Sequence, residues 1–451
     1  MKIRGLTIAT LVLLILAGFL YWSEHHKPAE ESSKISADAP PSILKLDQSS
    51  ISKLELKKKD AEPIQLSRAG SGDWQITAPT QLRADQGSVS GVLSTLSSLN
   101  SERLVEDKAS DLKPFGLDQP SLEVDITQKD KQSKKLLLGD DTPASSGVYA
   151  ALAGDPRVFT IASYNKTSVD KGVNDLRDKR LLTAAADKVN RVQLVRKNEE
   201  IEFGRNKDEW QILKPKPLRA DNSQVADLVR ELTDAKMDIS GSDAGDAASA
   251  FAKAAPIVTA KLTDASGTQE LQIRKSKEKD KETYYAKSSA VDGVYKVDSG
   301  VGQAVDKGVE DFRNKKLFDF GYTDPNKIEL HNGTKAYFLT RGTGGSEDWW
   351  SNGKKMDADS VDSFLSKLRE LAASKFPDSG LSKPEINLSV VSDNGRRTEK
   401  LLITKSGDHY TAQRENEPGL YQLDASSVDD LLKAADGVKQ ASGSQAMSKK
   451  P

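Results

Sequence analysis

Residues 170–182 read DKGVNDLRDKRLL, and residues 306–318 read DKGVEDFRNKKLF, 136 positions later (306 − 170). A chain that restates a segment at this distance is an array of duplicated domains. In such an array a residue present in every copy is a folding device. A residue present in one copy is a candidate site only with independent support. The repeat runs far beyond the thirteen residues: Trp74 returns as Trp210, and Leu82-Arg83-Ala84-Asp85 returns as Leu218-Arg219-Ala220-Asp221. Phe115 and Pro120 return as Phe251 and Pro256, Tyr149-Ala150 as Tyr285-Ala286, and VFTI at 158–161 as VYKV at 294–297. A third, diverged copy places Asp357 136 beyond Asp221, after Trp349 and Trp350, and echoes Gly116-Leu117-x-x-Pro120 as Gly380-Leu381-x-x-Pro384. The period exceeds that of solenoid units and suits whole domains. The expected organisation is repeat domain 1 at 43–183, repeat domain 2 at 184–320 and a diverged repeat domain 3 at 321–439.

Each copy has the same grammar. ISKLELKKK, PIQLSR and DWQIT alternate apolar and polar residues, the mark of half-buried strands. After Asp85 the period becomes helical, with Val89, Val92, Leu93, Leu96 and Leu99. Copy two answers with Val225, Leu228, Val229 and Leu232, and copy three with Val361, Phe364, Leu365, Leu368 and Leu371. Asp85, Asp221 and Asp357 stand four residues ahead of the first apolar position, where an N-cap satisfies orphan amides. Further strand patterns follow (SLEVDIT, KKLLLG, VYAAL, VFTI), and Val169, Val173 and Leu176 predict a closing helix, repeated as Val305, Val309 and Phe312. The fold class expected is α+β: an N-terminal transmembrane helix followed by three tandem repeats, each a β-rich sheet with two helices.

At the N-terminus Lys2 and Arg4 precede an uncharged run, residues 5–22. Its eighteen residues would span roughly 27 Å as a helix, enough for a thin bilayer core. The expectation is a cytoplasmic n-region at 1–4, an uncleaved signal anchor at 5–22 and a flexible polar stalk at 23–42. The body would then lie outside the membrane, N-terminus inside, with a disordered tail at 440–451. A cleaved signal peptide is the rival, but Phe19 to His26 offers no small-x-small site. With 29% charged residues and a formal net charge of −1, overall charge favours no nucleic-acid partner. The chain has no cysteine, which excludes disulfides, thiol chemistry and a lipoprotein anchor.

The ordered series W-x-I, L-R-A-D, F-G-L-x-x-P, L-L-L-G, V-Y-A and D-L-R-D-K-R-L-L resembles the family known as domain of unknown function 4340. The resemblance covers most of residues 43–320 and extends less fully over 321–436, where the closing D-x-R-x-K-x-L is missing. It implies a bacterial protein of the inner membrane, similar to or accompanying auxiliary components of gliding-motility-type ABC transporters. It carries no catalytic residues onto this chain.

Each candidate site has a structural role to set beside a chemical one. Asp85, Asp221 and Asp357 read as caps rather than acids for catalysis or metal. Arg83, Arg219, Arg177 and Arg313 could hold a carboxylate or phosphate, but their duplication favours ion pairs within each domain. Trp74, Trp210 and Trp349 read as core, with sugar stacking as the alternative. His25 and His26 sit in the stalk and His331 and His409 in copy three, with no H-E-x-x-H. GTGGS at 342–346 lacks a following G-K-[ST], and Asp140-Asp141 in LLLGDDTPASSG is not shared by copy two. No catalytic, cofactor-binding or metal residue is therefore assigned, and no cofactor is expected. The expected function is a non-enzymatic interaction or scaffold protein, an accessory subunit of an ABC transporter or other envelope complex. The alternatives are a module binding an envelope glycan, which predicts exposed tryptophans on one face, and an enzyme of unrecognised type.

Overall fold

The computed structural model describes residues 41–143, 146–239, 244–278, 281–320, 325–342 and 348–442. The expected anchor at 5–22, the stalk to residue 40 and the tail from 443 lie outside these residues. The chain divides into two compact units, Met1–Asp178 and Lys179–Pro451.

The first unit holds one sheet: β1 (Ile51–Lys58), β2 (Ile64–Arg68), β3 (Trp74–Ala78), β4 (Leu82–Arg83), β5 (Arg103–Glu106), β6 (Leu122–Gln128), β7 (Ser133–Asp141), β8 (Gly147–Leu152) and β9 (Val158–Ala162). Its order is β4-β3-β2-β1-β6-β7-β8-β9-β5. The second unit holds two sheets. One contains β10 (Arg191–Val195), β11 (Glu200–Asn206), β12 (Glu209–Lys214), β13 (Leu218–Arg219), β14 (Ala255–Asp264), β15 (Gly267–Glu278), β16 (Lys281–Ser288) and β17 (Val294–Val297). The other contains β18 (Lys327–Asn332), β19 (Lys335–Arg341), β20 (Trp349–Ser351), β21 (Lys354–Lys355), β22 (Ile386–Ser392), β23 (Arg397–Ser406), β24 (His409–Arg414) and β25 (Leu420–Asp424). Their orders are β13-β12-β11-β10-β14-β15-β16-β17 and β21-β20-β19-β18-β22-β23-β24-β25. Apart from β5, the three sheets have one topology. Four strands run outward to an edge, a helix crosses back, and four more strands run from the middle to the other edge.

The helices are α1 (Gln86–Ser97), α2 (Ser163–Val169), α3 (Val173–Leu176), α4 (Asn222–Thr233), α5 (Ala244–Lys253), α6 (Ser299–Asp306), α7 (Ala358–Glu370) and α8 (Ala425–Asp436). Crossover helices α1, α4 and α7 each start at the repeated aspartate. Asp85 accepts from the Ser88 amide at 2.7 Å, Asp221 from Ser223 and Gln224 at 2.9 and 3.1 Å, and Asp357 from Ser360 at 3.0 Å. Their apolar residues and the inward alternation of the strands form a main core on each sheet, and Phe115, Leu117, Ala151 and Val158 form a smaller cluster on the other face of the first. Trp74, Trp210 and Trp349 sit in those cores, 5%, 6% and 6% exposed.

The expected α+β layout is corrected. The three repeats are antiparallel sheets of nine, eight and eight strands carrying few helices. No helix among the described residues is long and apolar enough to cross a membrane. The helix complement also differs from two per repeat. Val169, Val173 and Leu176 do not share a helix: Asp170 leaves helical geometry (ψ 69°) and Gly172 is extended (φ −91°, ψ 169°) between α2 and α3. In copy two Gly308 breaks the chain in the same way (φ −81°, ψ 172°) before a 3-10 turn at Val309–Phe312. The carboxylates of Asp175 and Asp311 accept from the Gly172 and Gly308 amides at 2.8 and 2.9 Å and start a new turn. The apolar spacing is met by two short elements on one face, which periodicity alone cannot separate from one helix. Copy two also inserts α5.

The final apolar pair of each closing motif belongs to the sheet that follows it. Leu181 and Leu182 lie in the second core, and Leu317 and Phe318 in the third. Ile43 and Leu44 occupy the same place in the first. Each pair is tied to the end of the crossover-helix segment: Ile43 donates to Leu99 at 2.8 Å, Leu181 to Ala235 at 2.8 Å and Leu317 to Leu371 at 3.0 Å. Sheet edges are closed by short bridges such as Ala84 with Arg177, Ala220 with Arg313, Asp238 with Lys296 and Lys375 with Gln422. Edges paired in this way are poor templates for aggregation.

Replacing Asp85 by Ala is expected to cost about 0.5–2 kcal/mol, and Asp85→Asn to recover most of it, because Asn caps nearly as well. Chemical denaturation of the wild type and both variants measures this. Equal losses in the two variants would refute the cap assignment.

Candidate functional site

A dense cluster of ionisable side chains lies within the second unit, where the second and third sheets meet. It starts from two repeated arginines. Arg219 comes from the two-residue edge strand β13, and Arg313 from the segment bridged to Ala220. Arg219 reaches Asp319 with Nη1 and the Lys316 carbonyl with Nη2, and its Nε lies 3.2 Å from Glu417 Oε1. Arg414 holds the same Glu417 oxygen at 2.6 Å and Glu399 Oε1 at 3.0 Å, and donates to the Leu317 carbonyl. Arg397 contacts Glu399 at 3.1 Å and Asp319 Oδ2 at 3.5 Å. Three guanidinium groups thus interlock with three carboxylates.

Aromatic rings close the other side. The Arg313 guanidinium lies 3.6 Å from the Phe376 ring centre, and Phe376 and Tyr421 meet edge-on at 5.6 Å. Tyr421 donates to Glu417 at 2.7 Å. Gly419 permits the approach: a Cβ there would stand 2.6 Å from Arg313 Nη2 and 3.2 Å from Leu218. Burial works against the charge on Arg219, yet Tyr421, Asp319 and Glu417 outweigh it and raise its pKa. Burial pushes the Tyr421 phenol up, with Arg219 opposing and Glu417 reinforcing.

The strands explain how these groups become buried. Glu399 stands in phase with Leu401 and Ile403 on the inward face of β23, a position an apolar residue would ordinarily take. A buried carboxylate needs charged partners in place, and Arg397 and Arg414 supply them. An open cleft of about 510 Å³ adjoins the cluster, lined by Lys316, Phe318, Asp319, Phe320, Ser366, Arg369 and Glu370. Its one member of the cluster, Asp319, is already engaged by Arg219 and Arg397. The arrangement is suited to holding two sheets in register.

The arginine expectation is therefore modified. Arg83 does pair inside its repeat, with Asp178 at 3.4 Å, but Arg219 also reaches across to Glu417 of the third. Sequence reasoning missed Asp319, Phe376, Arg397, Glu399, Arg414, Glu417 and Tyr421. The one signal available was Glu399 breaking an apolar alternation.

The remaining candidates stay apart. His331 packs edge-on against Phe338 and His409 lies 3.0 Å from Asp408, while His25 and His26 are outside the described residues. Among the described residues no group of three His, Cys, Asp or Glu is placed to hold a metal. Asp140 lies against Gly116 (φ +66°), and Asp141 is 4.0 Å from Lys166. Residues 343–346 of the glycine-rich turn are outside the described residues. A second charged group sits on β11. Burial alone would raise the Glu202 carboxyl, but hydrogen bonds from Lys214 and Gln193 and the charges of Arg191 and Lys214 hold it below the usual range.

The sequence profile of a family described as Domain of unknown function (DUF4340) matches residues 74–212 and again residues 210–389. No curated protein and no solved structure matches the chain.

Two outcomes follow from the charges. Glu399→Ala removes a buried carboxylate and leaves Arg397 and the half-buried Arg414 short of a counter-charge, and is expected to destabilise the second unit by about 3–5 kcal/mol, read by denaturant unfolding. A loss below about 1 kcal/mol would show the cluster to be solvated and weak. Glu202 has a lower pKa folded than unfolded, so its contribution is complete above the unfolded value of about 4.3 and fades as pH falls through the folded one. The stability gap between wild type and Glu202→Gln should therefore narrow between about pH 5 and pH 2. A gap that is constant over that range would contradict the assignment.

Proposed function

This chain belongs to the family described as Domain of unknown function (DUF4340), matched in two tandem copies, and we propose that it is a non-catalytic interaction protein, a scaffold subunit of an envelope complex. One observation carries the reading: the residues that recur between copies are spent on architecture. The aspartates cap crossover helices, the tryptophans fill cores, and Arg219 and Arg313 join the second sheet to the third. A chain that uses its repeated polar residues in this way is built to present surface. Burial of the three repeated tryptophans weighs against their serving as sugar platforms.

The envelope placement rests on Lys2 and Arg4 ahead of the apolar run 5–22. The finer reading, an accessory subunit of an ABC transporter, rests on the family resemblance. Chemical cross-linking in the native cell, followed by purification of the full chain from detergent-solubilised envelopes, tests the proposal. A protein partner recovered in constant ratio is expected. Recovery of the chain alone, with no cross-linked partner, would overturn it.

A further inference from the structure

The three sheets share one topology, so their outward faces can be compared position by position. In the third, Trp350 lies opposite Thr340, and Phe338 lies two residues before Thr340, so both point to the face away from the helices. His331 continues the diagonal on β18, opposite Ala336. Strand register places Gln75 and Gln211 where Trp350 stands, and Gln65 and Glu202 where Phe338 stands. Lys57 and Val195 take the place of His331. The aromatic row is thus confined to one copy, and its members have no role in the core.

The row is also accessible. Phe338 is 38% exposed, Trp350 is half-buried and His331 is exposed. The His331 ring meets Phe338 edge-on at 5.3 Å and 81°, which fixes the orientation of the phenyl face. Around the row the charges are cancelled in pairs: Lys327 with Glu329 at 2.6 Å, Lys355 with Asp348 at 2.9 Å and Lys400 with Glu415 at 3.0 Å. Between them stand neutral hydrogen-bonding side chains, Thr340, Ser389 and Asn387, the last opposite His331.

We propose that this strip, Trp350–Phe338–His331 on the open face of the third sheet, binds a neutral polysaccharide chain. The apolar C–H faces of pyranose rings lie against flat aromatic rings, and their hydroxyls are served by neutral donors and acceptors alongside. Nucleic acid also stacks on aromatics, but it requires unpaired cations along the strip, and here the lysines are paired. The inference is independent of the protein-partner reading, because it concerns a face made by one repeat alone.

Glutamine is the sibling residue at two of these positions, so Trp350→Gln and Phe338→Gln suit the fold. The full chain is titrated by calorimetry and tryptophan fluorescence with cellohexaose, mannohexaose and N-acetylchitohexaose. At least one sugar should bind. Each variant should weaken it by about threefold to tenfold, and the double variant should abolish it with an unchanged melting temperature. Failure of all three sugars to bind at millimolar concentration would overturn the proposal. So would binding that survives in the double variant, or a poly-L-proline peptide occupying the strip in place of the sugars.

Discussion

Everything in this protein depends on an antiparallel sheet having one face to bury and one to solvate. Leu54, Leu56, Leu66, Val124 and Leu138 point to one side of the first sheet, while Glu55, Lys57, Glu123, Asp125 and Lys135 occupy the other. The apolar face must be covered, and a helix of about twelve residues crossing from the edge strand to the middle strand covers it. That helix needs a defined start, which the aspartate provides, and a defined end, which the inserted apolar pair provides. Cap, crossover and pair recur together because each is of little use without the others.

Duplication multiplies the unit but leaves the question of joining. The chain answers it by letting the last two residues of a closing motif serve as the first core residues of the next sheet, as Leu317 and Phe318 do for the third. In the second unit, guanidinium groups add a second fastening. Arg219, Arg397 and Arg414 neutralise Asp319, Glu399 and Glu417 around the buried Glu399 carboxylate, with Arg397 and Asp319 at the more exposed rim. An unmatched charge there is costly, so the cluster specifies one arrangement of the two sheets. The third repeat carries Lys355 where the second has Arg219, and Gln440 where it has Arg313. The fastening is therefore a property of the second repeat's edge and not of every copy.

Divergence after duplication is most informative where architecture does not constrain the residue. The outward face of the sheet is such a place. Position 350 is held by tryptophan in the third repeat while its siblings carry glutamine, and neither choice alters the core. The inward neighbour, Trp349, is matched in all three copies because the core requires it.

Much of this was legible in the chain itself. The offset of 136, the aspartate ahead of each helical pattern and the alternation of ISKLELKK identify the repeats, the caps and the strands, because these are local and periodic signals. The closing segment misled, since apolar residues at helical spacing read alike whether one helix or two short turns carry them, and only the dihedral angles at Gly172 and Gly308 separate the cases. The size of the sheets was equally hidden: pairing of β1 with β6, or of β10 with β14, joins strands far apart in sequence and leaves no periodic trace. The same holds for the charged cluster. Arg219 and Glu417 are almost two hundred positions apart, and their meeting was decided by the packing of two complete sheets, because long-range electrostatic pairing is fixed by tertiary geometry and not by local pattern.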